Sequence, residues 1–162
     1  MTKQGFVFVF NRLTGESLWE ITEQPVPPSQ IPGERPAATQ PKPIAPPQLL
    51  NPFLMPEDAW GLTPWDRGSC AKQLASLHNL GLFTPTSEEL TLLDPGSLGG
   101  PNWGGGARLG KSGILLTTIT TVASTGRLIP TPQDIDPETR KRDHPAAGHR
   151  MQVTMEGTPY NI

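Results

Sequence analysis

The sequence holds one cysteine and no long apolar run, and each of these two shortages excludes a class of protein. Only Cys70 is a cysteine among the 162 residues, so a framework of internal disulfides is excluded. We interpret Cys70 as a small, half-buried residue. No apolar run approaches the roughly 18 residues that a transmembrane helix needs, and the run at residues 6–10 is too short for a signal-peptide core. The chain as written is therefore predicted to stay in the cytoplasm.

An excess of charge of either sign is also missing. The formal net charge is −2 at pH 7. A charge this small creates no general field that would draw the chain onto a phosphate backbone or an anionic membrane. We therefore predict no nucleic-acid partner.

Glycine and proline, by contrast, are abundant. The sequence holds 17 glycines and 20 prolines, a combined content just below the roughly 25–30% that is typical of unstructured chains. Long helices are therefore not expected. Hydrophobic residues make up 35% of the chain, which predicts a core that is thin or shared with other sequence.

The first twenty residues have the pattern of one β unit. The run GFVFVF is aromatic and β-branched, which predicts a buried strand over residues 6–10. Asn11 and Gly15 supply a tight turn, and a second strand is expected over residues 17–21.

A proline-rich stretch follows, and we predict a long extended loop over residues 23–56. Closely spaced prolines remove backbone donors and hold the chain near the polyproline II conformation. A mobile linker and a proline-rich ligand for an SH3-type domain are the two alternatives.

One amphipathic helix is predicted, over residues 66–80. Apolar side chains recur there at spacings of three and four residues, and Gly81 fits the position after the last turn. We interpret His78 as a surface or capping residue, because no second histidine lies at a metal-binding spacing. The apolar positions of this helix are Cys70, Leu74, Leu77 and Leu80.

The glycine-rich segment 96–113 invites comparison with a phosphate-binding loop. It ends in Gly110-Lys111-Ser112, but a β-branched run follows where that loop requires a helix. We predict instead that residues 114–119 and 122–129 form paired strands. Residues 131–162 are polar and lack periodicity, which is typical of a surface loop or a disordered tail.

A turn pattern near the N-terminus resembles the repeat of quinoprotein propeller blades. In that repeat an aspartate or asparagine starts a turn, a glycine follows, and a tryptophan docks between neighbouring blades; here the matches are Asn11, Thr14-Gly15 and Trp19. A propeller with similar repeats can also be a non-enzymatic scaffold or interaction protein, which is the alternative function.

Two longer strings extend the resemblance to one enzyme family. The string TKQGFVFVFNRLTGESLWEITEQPVPPSQIPGE is similar to the quinone-facing strand and turn of dehydrogenases for glucose, quinate and shikimate that depend on pyrroloquinoline quinone (PQQ). The string TPWDRGSCAKQLASLHNLGLFTPTSEELTLLDPGSLGGPNWGGGA resembles that family's next segment, with its short helix, F-T-P-P-S stretch and N-W-G-G strand start. This chain departs from the family at Asn11, where aspartate is usual, and at Thr86, where the family has a second proline.

The resemblance implies an all-β fold, a partial β-propeller made of residues 1–130. The family's propeller has eight four-stranded blades, of which this chain would supply about three, so the ring cannot close. PQQ and a calcium or magnesium ion are the implied cofactors. The complete protein would be periplasmic or membrane-associated, and would oxidise a sugar or polyol and pass electrons to a quinone or cytochrome. The missing propeller blades are an implied partner, and the chain is expected to be inactive alone.

The same resemblance implies three residues that bind the cofactor. Lys3 matches the family lysine that hydrogen-bonds the quinone oxygens, although a surface lysine is the alternative. Asn102 and Trp103 match the strand start that faces the channel, although Trp103 has an alternative as a blade-packing residue. The catalytic aspartate and the metal ligands are expected in sequence that would precede Met1, so no catalytic residue and no metal ligand is named in this chain.

Overall fold

The computed structural model describes residues 1–51, 53–130, 155 and 158–162. Within these residues all regular sheets are antiparallel and two-stranded, and they pair β1 with β2, β3 with β6, β4 with β5 and β7 with β8. The elements in chain order are β1 (Ile21–Pro25), β2 (Thr39–Pro43), a 3-10 turn (Pro56–Asp58), α1 (Pro64–Ala75), β3 (Thr91–Leu93), β4 (Gly106–Leu109), β5 (Ile114–Thr117), β6 (Ser124–Gly126), β7 (Ile129–Pro130) and β8 (Tyr160–Asn161).

The core is small, as the composition predicts. Thr91 is fully buried, and its hydroxyl donates to the Glu89 carbonyl at 3.0 Å and accepts from the Ser87 amide at 3.3 Å. The buried apolar residues of the described part are Phe6, Val7, Ile31, Ala59, Leu92 and Leu128.

The N-terminal turn is confirmed, whereas the predicted strand over residues 6–10 is wrong. Gly15 has a φ of 78° and its amide donates to the Asn11 carbonyl at 2.8 Å. Of the predicted strand, only Phe10 forms a bridge, with Ser17. Phe6 and Val7 are buried, but the Phe6 carbonyl accepts a turn hydrogen bond from Thr2 and belongs to no ladder.

The sequence predicts a long extended loop over residues 23–56, but the structure has a β-hairpin in the first part of this stretch. β1 and β2 pair in a register that sets Pro25, Pro41 and Pro43 opposite Thr39, Glu23 and Ile21. The Ile44 amide donates to Glu20 just outside this ladder, so by alternation these pairs are the ones that exchange no hydrogen bonds. The prolines therefore cost the hairpin no ladder bond.

The predicted helix is present, but it starts two residues earlier and ends five residues earlier than the predicted range 66–80. It starts after Thr63, whose hydroxyl accepts from the Asp66 amide at 3.2 Å, while the Asp66 carboxylate accepts from the Thr63 amide at 3.2 Å. It ends at Ala75, because the His78 backbone bridges to β3. Leu77 and Leu80 therefore lie beyond the helix, and Gly81 lies in a later turn with a φ of 96°.

The strands predicted at residues 114–119 and 122–129 are present in part, but they do not pair with each other. β5 pairs with β4, β6 pairs with β3, and β7 pairs with β8. The cause is residues 118–123 between them, which bond to the glycine loop through the Gly100 and Thr120 backbones. Most of the tail predicted at 131–162 lies outside the described residues; its end forms β8, where the Tyr160 hydroxyl donates to Glu88 at 3.3 Å.

Candidate functional site

The loop that connects β3 to β4 approaches the N-terminal residues of the chain and forms the candidate site. The Lys3 ammonium donates to the carbonyl of Ser97 at 2.8 Å and to the carbonyl of Gly99 at 2.7 Å. It also lies 3.4 Å from the side-chain oxygen of Asn102. These contacts join residues that are separated by more than ninety positions in the sequence.

Buried glycines allow the loop to lie this close to Lys3. Gly96, Gly99 and Gly100 are all buried. A Cβ atom on Gly100, which has a φ of 82°, would collide with the Lys3 carbonyl oxygen, and one on Gly96 would lie 2.7 Å from the Ser124 amide nitrogen. The loop is also hydrogen-bonded to the segment before β6, since the Gly96 amide donates to the Val122 carbonyl at 2.8 Å.

Asn102 links the loop to Lys3. Its side-chain amide donates to the Leu98 carbonyl at 2.9 Å, which directs its oxygen towards the Lys3 ammonium. The structure thus brings together Lys3 and Asn102, two of the residues that the family resemblance singles out.

Trp103 follows Asn102 and extends away from the protein. Its relative exposure is 103%, so the described residues do not pack against its ring. The strand that the N-W-G-G pattern predicts at this point begins later, at Gly106, after a turn in which the Gly105 amide donates to the Asn102 carbonyl. The residue next to Asn102 in the chain therefore presents a fully exposed aromatic ring.

Two backbone carbonyl groups of this site could not be predicted from the sequence. The carbonyl oxygens of Ser97 and Gly99 hold Lys3, and a backbone oxygen carries no residue-type signal. The cluster of glycines at residues 96–106 was the visible signal, because closely spaced glycines mark close approaches of the backbone.

A pocket of about 130 Å³ lies beside this loop. Phe53 and Leu92 supply apolar walls. The Asn79 side chain donates a hydrogen bond to the Leu54 carbonyl and accepts one from the Gly81 amide. Asp94 is the charged group of the lining. Burial raises the pKa of its carboxyl above the usual value, although a backbone hydrogen bond from Leu54 opposes this.

The part of the chain that the structure describes holds no group of three metal-ligating side chains from histidine, cysteine, aspartate and glutamate. Among the same residues, no helix has the length and apolar character that crossing a membrane requires.

The site offers one cation, one amide and one exposed indole face. A cation and an amide can hold anionic or carbonyl oxygens, and an indole face stacks on a flat ring system. The Lys3 ammonium suits the oxygens of a planar, anionic quinone such as PQQ, and the exposed indole of Trp103 suits a flat ring.

Comparisons with known proteins agree with this chemistry. Residues 1–162 match the PQQ family model described as "Glucose/ethanol/alcohol dehydrogenase, beta-propeller domain". The quinate/shikimate dehydrogenase (quinone) of Acinetobacter baylyi is 35% identical over 162 residues, which cover 99% of this chain and 20% of that protein. The glycerol dehydrogenase large subunit of Gluconobacter thailandicus is 32% identical over 168 residues, with 99% and 23% covered.

A further relative, quinoprotein glucose dehydrogenase A of Acinetobacter calcoaceticus, is 31% identical over 170 residues, with 100% of this chain and 20% of that protein covered. No solved structure matches this chain. The chain thus spans about a fifth of the length of the curated relatives it matches.

Proposed function

Because the chain belongs to the β-propeller domain family of the PQQ glucose, ethanol and alcohol dehydrogenases, we propose that it is part of a quinoprotein dehydrogenase for sugars or polyols. The observation that carries the proposal is the match over the whole chain, and the Lys3 and Asn102 contact at 3.4 Å supports it.

The names of the relatives support the substrate class. Quinate, shikimate, glycerol and glucose all carry several hydroxyl groups on a small carbon skeleton, although glycerol has no ring and only quinate and shikimate carry a carboxylate. We therefore propose a small polyhydroxylated substrate, of which one hydroxyl group is oxidised. The first of these relatives is named for a quinone acceptor, and we propose a quinone or a cytochrome as the acceptor here.

PQQ, when bound, supplies the ring that takes up hydride from the substrate carbon. Lys3 donates a hydrogen bond towards an oxygen on which negative charge develops, and such a donor lowers the barrier because it is already in place. Asn102 lies 3.4 Å from the Lys3 ammonium on the same loop, and the exposed ring of Trp103 would stack against a flat face of the cofactor. These are the three residues that we propose for cofactor binding.

The remaining machinery is assigned to sequence outside this chain. We propose a calcium or magnesium ion beside the cofactor, but we assign it no ligand in this chain. The base that removes the substrate proton is likewise not assigned here, since no carboxylate of the described residues forms a hydrogen bond or an ion pair with Lys3 or Asn102. The partners of the chain are thus the other propeller blades, the substrate and the acceptor.

A quinone acceptor that dissolves in lipid has to be reached at the membrane. We therefore propose that the complete protein lies in the periplasm or is associated with the membrane.

A chimaeric enzyme tests the proposal. In the quinate/shikimate dehydrogenase of Acinetobacter baylyi, the segment that matches this chain is replaced by residues 1–162. We expect the purified chimaera, loaded with PQQ and calcium, to reduce an artificial dye with quinate as substrate, with saturable kinetics. The unmodified enzyme is the positive control, and omission of PQQ is the negative control. A chimaera that is folded by circular dichroism yet binds no PQQ would refute the proposed function.

A further inference from the structure

The ammonium of Lys3 is held by the backbone of a distant loop. Two short hydrogen bonds, at 2.8 Å to Ser97 and 2.7 Å to Gly99, lie within the usual range for a charge-assisted bond. The third contact, to Asn102, is 3.4 Å and lies beyond that range.

We propose that the loop formed by residues 96–102, here called the Lys3 cradle, is a positioning element that fixes the ammonium and leaves it a single donor for the cofactor. This inference rests on the proposed function, because it concerns the same site.

The count of donors sets what Lys3 can offer. An ammonium group has three N–H donors. Two of them are engaged by the carbonyls of Ser97 and Gly99, and the loop is held in place because Gly96, Gly99 and Gly100 are buried and its backbone bonds to residues 120–122. The third donor makes only the long contact to Asn102, so a ligand oxygen can replace that contact at small cost.

The glycines keep the cradle in its place. Gly100 packs on the Lys3 carbonyl, and Gly99 packs on the Val122 carbonyl, so that a Cβ atom at either position would collide with the backbone. Alanine at Gly100 would have to move the loop away from residue 3. The ammonium would then lose the carbonyls that direct it.

The first experiment measures the cradle without any cofactor. The purified chain is treated briefly with an amine-acylating reagent, and the extent of modification of each lysine is read by mass spectrometry of peptides. We expect Lys3 to react several-fold more slowly than the exposed lysines, which are Lys42, Lys72 and Lys111. Gly100→Ala should bring Lys3 to their rate.

Gly33→Ala is the matched control for that variant. Gly33 has a φ of 89°, close to that of Gly100, but a Cβ atom on it would meet no atom within 4 Å. The control therefore shares the backbone strain without the collision, and it should leave Lys3 protected. If Lys3 of the unaltered chain reacts as fast as Lys42, the cradle is refuted.

The second experiment measures the affinity of the chimaera for PQQ by equilibrium titration. Gly100→Ala should weaken binding about tenfold, the effect of one charge-assisted hydrogen bond. In a Lys3→Met background the same change should have no further effect, because the group that it positions is gone. An equal loss in both backgrounds would show a general packing effect and overturn the proposal.

Lys3→Arg tests the same proposal in case the Gly100→Ala variant does not fold. Arginine keeps the positive charge, but its guanidinium is larger and its donors are fixed in one plane, so they do not reproduce the directions of the three ammonium donors. We expect Lys3→Arg to bind PQQ as weakly as Lys3→Met, and full rescue by arginine would contradict the cradle. A chimaera that binds no PQQ while Lys3 of the chain stays protected would overturn the proposed function and the cofactor role of the cradle, but not its geometry.

Discussion

Lys3 has two tasks in this structure, because one side chain both ties the N-terminal residues to the β3–β4 connection and supplies the cation of the proposed site. The tie consists of the hydrogen bonds to Ser97 and Gly99. The site needs only the remaining donor. A substitution at Lys3 therefore removes a structural contact and the proposed donor to the cofactor together, and the two effects have to be separated by measurement.

We predict that Lys3→Ala in the chimaera lowers the turnover number more than about tenfold, because a charged donor aimed at a developing negative charge is lost. The measurement is the rate of dye reduction at saturating substrate and saturating PQQ. A thermal melt of the same variant reports the structural part of the effect. Unchanged turnover would reject the catalytic role of Lys3.

Asp94 is one residue through which we expect stability to depend on pH. Burial raises the pKa of this carboxyl in the folded chain, in spite of the hydrogen bond from Leu54. A folded pKa above the unfolded one means that the folded state binds the proton more tightly. Its favourable contribution is therefore complete below the unfolded pKa and is lost as the pH rises through the folded pKa.

We predict that Asp94→Asn flattens this pH dependence. The unaltered chain should lose stability from about pH 4 upwards, where an ordinary aspartate ionises, relative to the Asn variant. The free energy of unfolding is measured with urea at mildly acidic and at neutral pH. Glu23→Gln, which removes an exposed carboxylate from β1, controls for the loss of one charge. A pH dependence that is the same in Asp94→Asn and the unaltered chain would contradict this reading.

At the scale of elements, α1 is defined by its first turn more than by its faces. None of its residues is buried, so tertiary packing contributes little to it. Its N-terminus instead has Pro64 in the first turn and the reciprocal bonds between Thr63 and Asp66.

We predict that Thr63→Ala destabilises α1 by about 1 kcal/mol, the usual effect of losing an N-cap side chain. Amide hydrogen exchange of the first turns, from Arg67 onwards, should accelerate about fivefold. Thr63→Ser retains the hydroxyl and should exchange like the unaltered chain. Equal exchange rates in the alanine and serine variants would show that another interaction starts the helix.

The elements that sequence reasoning predicted well are those with local causes. The turn at Asn11 and Gly15 needs only a residue that tolerates positive φ, and the start of the helix depends on the local bonds between Thr63 and Asp66. The helix end was missed because the His78 backbone bonds to Leu90 and Leu92, which are distant in sequence. The pairings of β5, β6 and β7 were missed for the same reason, since an apolar run predicts a strand but does not show which other strand it pairs with.

The prolines misled the prediction in another way. Proline content predicts unpaired chain because proline lacks an amide hydrogen, but the register of β1 and β2 decides whether that hydrogen is needed. Pro25, Pro41 and Pro43 all occupy pairs that exchange no bond. Composition cannot reveal a register, so the hairpin could not be derived from it.

The candidate site divides along the same line. Lys3 and Asn102 were named by resemblance and the structure joins them, whereas the carbonyls of Ser97 and Gly99 are visible only once the loop is folded. Trp103 is fully exposed, so its cofactor-binding and blade-packing interpretations both stay predictions.

At the scale of the whole molecule, the match confirms the predicted partial β-propeller, and the small core follows from that architecture. The described part holds two-stranded sheets, whereas a propeller blade has four strands. The hairpin of β4 and β5 leaves its apolar side chains about half exposed. These are Leu109, Ile114, Leu115 and Leu116.

Open edges and exposed apolar side chains make an isolated piece of a propeller prone to association. The same incompleteness limits binding. One donor from Lys3 and one exposed ring offer few bonds, and each charge-assisted bond is worth only about 1.5–3 kcal/mol. Fixing a free cofactor on a surface costs several kcal/mol, which so few bonds do not offset.

We therefore predict that the purified chain alone catalyses nothing. Supplied with PQQ, calcium, glucose or quinate and an artificial acceptor, it should reduce no dye above background, because no residue in it is assigned to remove the substrate proton or to hold the cation. The chimaera assayed in parallel is the positive control, and it shows that the reagents are competent. Saturable dye reduction by the chain alone that disappears without PQQ would mean that a complete active site lies within these 162 residues.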